Sequence, residues 1–130
     1  MDAPAREPII EVRGLVNRFG SHVVHQDLNL TVERDEILGL VGGSGAGKSV
    51  LLRSILGLHR FNEGEIHVMG QQIRYGQPGP TTCWGVLFQN GALLSNLTVQ
   101  ENVELPIALH SDMPEETRHE LASLKLIMVG

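Results

Sequence analysis

Eight consecutive residues carry the clearest chemistry in this chain. They are Gly42, Gly43, Ser44, Gly45, Ala46, Gly47, Lys48 and Ser49. This spacing of two glycines, a lysine and a hydroxyl residue is typical of a loop that wraps the phosphates of a nucleoside triphosphate. Glycines let bare backbone N–H groups approach the anion, Lys48 adds positive charge for the terminal phosphates, and Ser49 offers a hydroxyl to Mg²⁺. The plainer alternative is a glycine-rich turn between two elements.

The elements on either side must hold such a loop in place. Residues 37–41 are nearly all apolar, which predicts a short buried strand. Residues 48–58 are apolar on most sides, which predicts a buried helix that ends at about Gly57. Strand, loop and helix in this order would place phosphates at the positive end of a helix. The flanks therefore favour phosphate binding over a simple turn.

Alternating apolar and polar residues predict further strands. The predicted strands cover residues 9–16, 23–32, 65–70 and 84–89. The first two form an antiparallel hairpin around a turn at residues 18–21, and Leu28, Leu30 and Val32 share one face of the second strand. Residues 1–8 are predicted to be a flexible, proline-bearing lead-in.

Two helices are predicted in the last third of the chain. Thr98 is a plausible N-cap, with Glu101 as its capping-box partner, and Pro106 should kink or end this helix. Asp112 is expected to cap the second helix, with two acidic residues in its first turn. Its predicted apolar face contains Leu121, Leu124, and Ile127 or Met128.

Composition sets broad limits on the function. The chain has 130 residues, of which 42% are apolar and 19% charged, so a globular domain is expected. The net charge of −5 argues against a nucleic-acid surface. The single cysteine, Cys83, cannot form an internal disulfide and suits a reducing compartment. Neither a signal peptide nor a membrane-spanning apolar run is expected.

Beyond the glycine-rich loop, the chain resembles the ATPases of ATP-binding cassette (ABC) transporters. Phe88 and Gln89 resemble the Q-loop, and residues 97–103, Leu-Thr-Val-Gln-Glu-Asn-Val, resemble the start of the helical subdomain. The resemblance implies that Gln89 reaches Mg²⁺ and the attacking water. It also implies that Phe19 stacks on adenine. The implied ligands are ATP and Mg²⁺.

A narrower resemblance is to the Mla-type, MCE-associated phospholipid-transport ATPases. It depends on Val50, where many family members have threonine, and on residues 86–94, Val-Leu-Phe-Gln-Asn-Gly-Ala-Leu-Leu. This resemblance implies phospholipid transport between bacterial membranes. The implied partners are transmembrane permease subunits, a second copy of the ATPase and an MCE-domain lipid-binding protein. The implied location is cytoplasmic, on the inner face of the inner membrane.

The resemblance also predicts an α/β fold: a partial P-loop NTPase core, an N-terminal antiparallel β-subdomain and the start of the helical subdomain. The expected division is a lead-in at 1–8, the β-subdomain and core to the Q-loop at 9–90, and the helical subdomain from 91 to 130. The family's Walker B strand, signature segment and switch histidine lie later than the matched positions. We therefore expect an N-terminal half that binds nucleotide but hydrolyses almost none alone, and that is poorly soluble.

Several of these residues have plainer interpretations. Gln89 could cap a strand in a polar loop, and Phe19 could pack on the hairpin. Val24 could line the adenine site, but a strand valine more often only packs. Asp35 stands where the family commonly has glycine, and we expect it to adopt the same left-handed turn.

Three other functions are compatible with parts of this sequence. An ABC ATPase of DNA repair or translation would need a basic surface, which the net charge of −5 disfavours. A non-catalytic remnant would bind a transporter partner without nucleotide. An ABC ATPase of another importer or exporter would share every motif described above.

Overall fold

The computed structural model describes residues 7–77 and 85–130. The chain divides into two compact units, Met1–Cys83 and Trp84–Gly130, and each is described by itself. The predicted lead-in falls mostly outside the described residues, as do Cys83 and Trp84. The functional division predicted after residue 90 stays a prediction.

The first unit is built on a four-stranded antiparallel sheet with the order β2-β1-β3-β4. Its strands are β1 (Pro8–Phe19), β2 (His22–Glu33), β3 (Glu63–Val68) and β4 (Gln71–Gln72). The predicted hairpin of β1 and β2 is confirmed, and both strands extend further than expected. The turn narrows to Gly20 and Ser21, with Gly20 at φ 60°. Pro8 begins β1 and is therefore part of the sheet rather than of a lead-in.

One face of this sheet carries the core. Val12 of β1 pairs with Ile66 of β3, and these two residues, together with Leu15 of β1 and Val68 of β3, are almost completely buried. Helix α1 (Lys48–Ile55) adds a small apolar face to the same unit, with Leu51 and Ile55 buried. The sheet thus anchors the helix that follows the glycine-rich loop.

Helix α1 ends close to its predicted stop. Gly57 adopts φ 71°, and its N–H donates to the Ser54 carbonyl at 3.1 Å. A left-handed glycine just past the last turn ends a helix because it can accept that conformation without a Cβ clash. The turn before the loop is also as expected, since Asp35 has φ 63°.

The strand predicted for residues 37–41 does not form. The segment is irregular, and Ile37 and Val41 are fully exposed. A strand buried in a parallel sheet needs neighbours on both edges, and none pairs with this segment in the described ranges 7–77 and 85–130. The strand predicted at 84–89 is likewise irregular over its described residues 85–89.

The second unit contains α2 (Val99–His110) and α3 (Glu115–Val129). The predicted capping box is confirmed: the Glu101 N–H donates to Thr98 Oγ1 at 3.2 Å, and the Thr98 N–H donates to Glu101 Oε2 at 2.6 Å. The bond from the Thr98 N–H, followed by the Thr98 hydroxyl, lowers the pKa of the exposed Glu101 carboxyl. Pro106 does not end α2, which continues one further turn to His110.

Two predictions for α3 were wrong. Pro114, not Asp112, is the N-cap, because proline disfavours helical geometry in the residue before it. The sequence also predicted the wrong buried face for α3. Ala122 is fully buried, whereas Leu124, Ile127 and Met128 are more than half exposed. A helix with apolar residues on several sides does not fix its buried face by sequence alone.

Candidate functional site

The glycine-rich loop adopts the backbone that its sequence predicts. Gly45 has φ 81° and Gly47 has φ 87°, and α1 begins at Lys48. At Gly47 a Cβ would stand 2.5 Å from both His25 Nε2 and Val24 Cγ1. Only glycine fits there, because the position combines a left-handed backbone with direct packing against β2.

Lys48 bends back over the loop that precedes it. Its ammonium donates hydrogen bonds to the carbonyl oxygens of Gly42 and Gly43, the latter at 2.8 Å. The charge is thereby held at the mouth of the loop, where a phosphate oxygen could replace a carbonyl as acceptor. The carbonyl groups of Gly42 and Gly43 thus hold the lysine ammonium, and the two glycines do not line the cleft at the start of α1.

A cleft of about 290 Å³ lies at the N-terminus of α1. Its lining consists of Val24, Ser44, Gly45, Ala46, Gly47, Lys48, Ser49 and Val50. The backbone N–H groups at the start of the helix and the Lys48 ammonium can donate hydrogen bonds to phosphate oxygens. The exposed Ser49 hydroxyl oxygen can bind Mg²⁺. The residues present therefore fit the triphosphate and metal that the motif implies, and Ser49 would hold the metal.

A buried polar network lies beneath this loop, and the sequence did not reveal it. Asn17 of β1, His25 of β2 and Ser54 of α1 are all buried. Asn17 Nδ2 lies 3.1 Å from His25 Nδ1 and 3.3 Å from Ser54 Oγ, and Ser54 Oγ donates to the Val50 carbonyl at 2.8 Å. The sequence indicates this network only through Asn17 and His25, which are polar residues at inward positions of β1 and β2.

His25 also contacts the loop itself. Burial lowers the pKa of its imidazole, a backbone hydrogen bond with Gly47 raises that pKa, and the nearby His59 lowers it. The net direction is downward, which favours the neutral ring.

The other two predicted site residues are placed differently. Phe19 is about half exposed and stacks on His59, with ring centroids 5.3 Å apart and an angle of 29° between the rings. Phe19 does not line the cleft at the loop, whereas Val24 does. Gln89 is an exposed residue in an irregular segment of the second unit. The predicted roles of Phe19 on adenine and of Gln89 on Mg²⁺ stay predictions.

Comparison with known proteins gives a consistent picture. A family model described as ABC transporter matches residues 25–128. The probable ribonucleotide transport ATP-binding protein mkl of Mycobacterium tuberculosis (strain ATCC 25618 / H37Rv) is 37% identical over 125 residues, which cover 93% of this chain and 35% of that protein. The methionine import ATP-binding protein MetN of Rhizobium johnstonii is 39% identical over 130 residues, which cover 94% of this chain and 36% of MetN.

A third relative and a solved structure extend the comparison. The intermembrane phospholipid transport system ATP-binding protein MlaF of Haemophilus influenzae is 36% identical over 126 residues, covering 94% of this chain and 48% of MlaF. A dimeric post-hydrolysis structure of the cassette MJ0796, bound to ADP and Pi, superposes with a TM-score of 0.77 at 27% identity. It covers 92% of this chain and 56% of that one.

The chain thus spans about a third to a half of the length of these curated relatives. Within residues 7–77 and 85–130, no helix has both the length and the apolar character needed to cross a membrane.

Proposed function

This chain belongs to the ABC transporter family of ATP-binding proteins, and we propose that its part in that family is to hold the phosphates of Mg-ATP. The observation that carries the proposal is the cleft at the start of α1. Left-handed Gly45 and Gly47, the ammonium of Lys48 and the hydroxyl of Ser49 meet there. Such an arrangement neutralises the charge of the phosphates and holds them in position. These two effects are most of what a protein contributes to phosphoryl transfer.

The whole protein, in this proposal, couples ATP binding and hydrolysis to transport across a membrane. Two copies close on ATP, and the segment around Gln89 passes the motion to transmembrane permease subunits. The dimeric MJ0796 cassette bound to ADP and Pi supports the paired arrangement. In this proposal the whole protein works at the inner face of the bacterial inner membrane. The chain alone binds nucleotide without appreciable ATP hydrolysis.

We propose phospholipid as the cargo, carried together with an MCE-domain protein. The supporting features are the sequence of residues 86–94 and the similarity to MlaF over 94% of the chain. Methionine import is the second candidate, favoured by the 39% identity to MetN. The test uses the intact protein and its permease purified in detergent and freed of phospholipid. Stimulation of ATP hydrolysis by added phospholipid supports the first, and stimulation by methionine supports the second.

Nucleotide binding is tested by titrating the chain with a fluorescent ATP analogue, with and without Mg²⁺. Lys48→Ala should weaken binding at least tenfold, because a charge-assisted contact contributes about 1.5–3 kcal/mol. The matched control is Lys125→Ala, the only other lysine in the sequence, which is exposed on α3. Equal affinity of the wild type and Lys48→Ala would reject the proposed phosphate site.

A further inference from the structure

The buried network beneath the loop joins three elements to one glycine. Asn17 bonds β1 to His25 of β2 at 3.1 Å and to Ser54 of α1 at 3.3 Å. The other side of the His25 ring faces Gly47, since Nε2 lies 2.5 Å from the place where a Cβ on Gly47 would stand. The imidazole therefore spans from the hairpin to the last residue before α1.

One protonation state satisfies the donors in this network. The amide nitrogen of Asn17 has two N–H groups, which can donate to His25 Nδ1 and to Ser54 Oγ. In this arrangement His25 Nδ1 accepts and Nε2 carries the proton, toward Gly47, while the buried Asn17 Oδ1 has no partner among the described residues. That proton lies on the side of the ring that packs against Gly47, whose backbone raises the pKa of the imidazole.

We propose that His25 is a positioning residue that holds Gly47, and through it the phosphate-binding loop, in the conformation that accepts nucleotide. Gly47 can occupy its left-handed backbone at φ 87°, but a glycine has little intrinsic preference for it. The His25 contact supplies the preference. The Gly47 carbonyl also accepts the first hydrogen bond of α1, from the Leu51 N–H at 2.9 Å, so the same contact fixes the start of the helix.

The groups that face the imidazole favour its neutral form. Lys48 lines a small cavity with His25, and His59 lies close enough to lower the pKa of His25. Asn17 and Ser54, from the two other elements packed on the ring, carry no charge. Burial first, and the nearby His59 second, lower the pKa of the imidazole, so the acceptor role of Nδ1 is preserved near neutral pH.

The proposal rests on nucleotide binding at the loop, and the test separates the two ideas. The variants are His25→Gln, whose amide can replace Nε2, His25→Asn, whose amide can replace only Nδ1, and His25→Leu, which has neither. His22→Gln is the control, since His22 is exposed at the start of β2. Affinity for the fluorescent ATP analogue is measured for each, together with amide hydrogen exchange of residues 43–51 without nucleotide.

We expect His25→Gln and His22→Gln to bind within about twofold of wild type, and His25→Asn and His25→Leu about five- to tenfold more weakly, as expected for one lost buried hydrogen bond. Exchange at 43–51 should quicken in the Asn and Leu variants only. Wild-type behaviour of His25→Leu in both measurements, or rescue by Asn but not Gln, overturns the proposal. If no form binds nucleotide but exchange follows the expected order, the proposed function fails and the positioning role stands. Should His25→Leu not fold, as judged by circular dichroism, the Gln and Asn variants decide the matter.

Discussion

At the scale of single residues, Gly47 concentrates the constraints on the loop. Gly47→Ala meets a left-handed backbone and two side chains of β2 at 2.5 Å. We expect a loss of about 2–6 kcal/mol in unfolding free energy, since strain and overpacking each contribute about 1–3 kcal/mol. Nucleotide binding should also be lost. Urea unfolding and the ATP titration measure the two effects.

Gly20→Ala is the matched control for this prediction. Gly20 also has a positive φ, of 60°, but an added Cβ would meet nothing within 4 Å. Its cost should be only the backbone strain, about 1 kcal/mol, with unchanged nucleotide affinity. If Gly20→Ala destabilised the chain as much as Gly47→Ala, packing against β2 would not be the reason for glycine at the loop.

The same scale shows what the sequence could predict about the site. The sequence predicts a phosphate site at the loop residues, Lys48 and Ser49, because phosphate binding demands a fixed local spacing, and residues 44–49 line one cleft in the structure. Asn17 and His25 were missed because their pairing depends on the register of β1 and β2, which shifts at irregularities on either side of Asn17. A contact between two strands and a helix has no signature within any one of them.

At the scale of elements, the capping box of α2 offers a local test. Thr98→Ala removes the acceptor of the Glu101 N–H and should lower the unfolding free energy of the second unit by about 1 kcal/mol. Thr98→Ser keeps the hydroxyl and should remain close to wild type. Helical circular dichroism during thermal unfolding measures both. Equal losses in the two variants would mean that packing of the threonine methyl group, not the cap, matters at this position.

Elements were predicted well where local signals suffice. The β1–β2 hairpin follows from alternation, α1 from its apolar run and the glycine at its end, and α2 from the capping box. The strand expected at residues 37–41 failed because a buried strand is stable only with hydrogen-bonded neighbours. Helix α3 starts later than predicted because Pro114 disfavours helical geometry at Met113. The prediction gave more weight to Asp112 as a helix cap than to this local effect of proline.

At the scale of the whole molecule, the exposed apolar segment at residues 37–41 is the feature from which we expect self-association. Ile37 and Val41 are fully exposed, and Leu38 and Leu40 are nearly half exposed. The segment therefore presents apolar side chains together with backbone groups that pair with no strand among residues 7–77 and 85–130, which is the pattern that promotes pairing between copies. We expect the chain to self-associate as its concentration rises, and we expect the double substitution Ile37→Thr and Val41→Thr to suppress this association.

Size-exclusion chromatography with light scattering measures the effect over a concentration series. The control is Ile127→Thr, which removes a comparably exposed apolar side chain from α3 without touching the segment. Because each threonine replaces a β-branched residue of similar shape, the loop beside Val41 keeps its backbone and nucleotide affinity should change less than about twofold. A monomeric wild type at all concentrations would reject the prediction. Equal suppression by Ile127→Thr would assign the association to exposed apolar surface in general, and not to the segment that leads into the phosphate-binding loop.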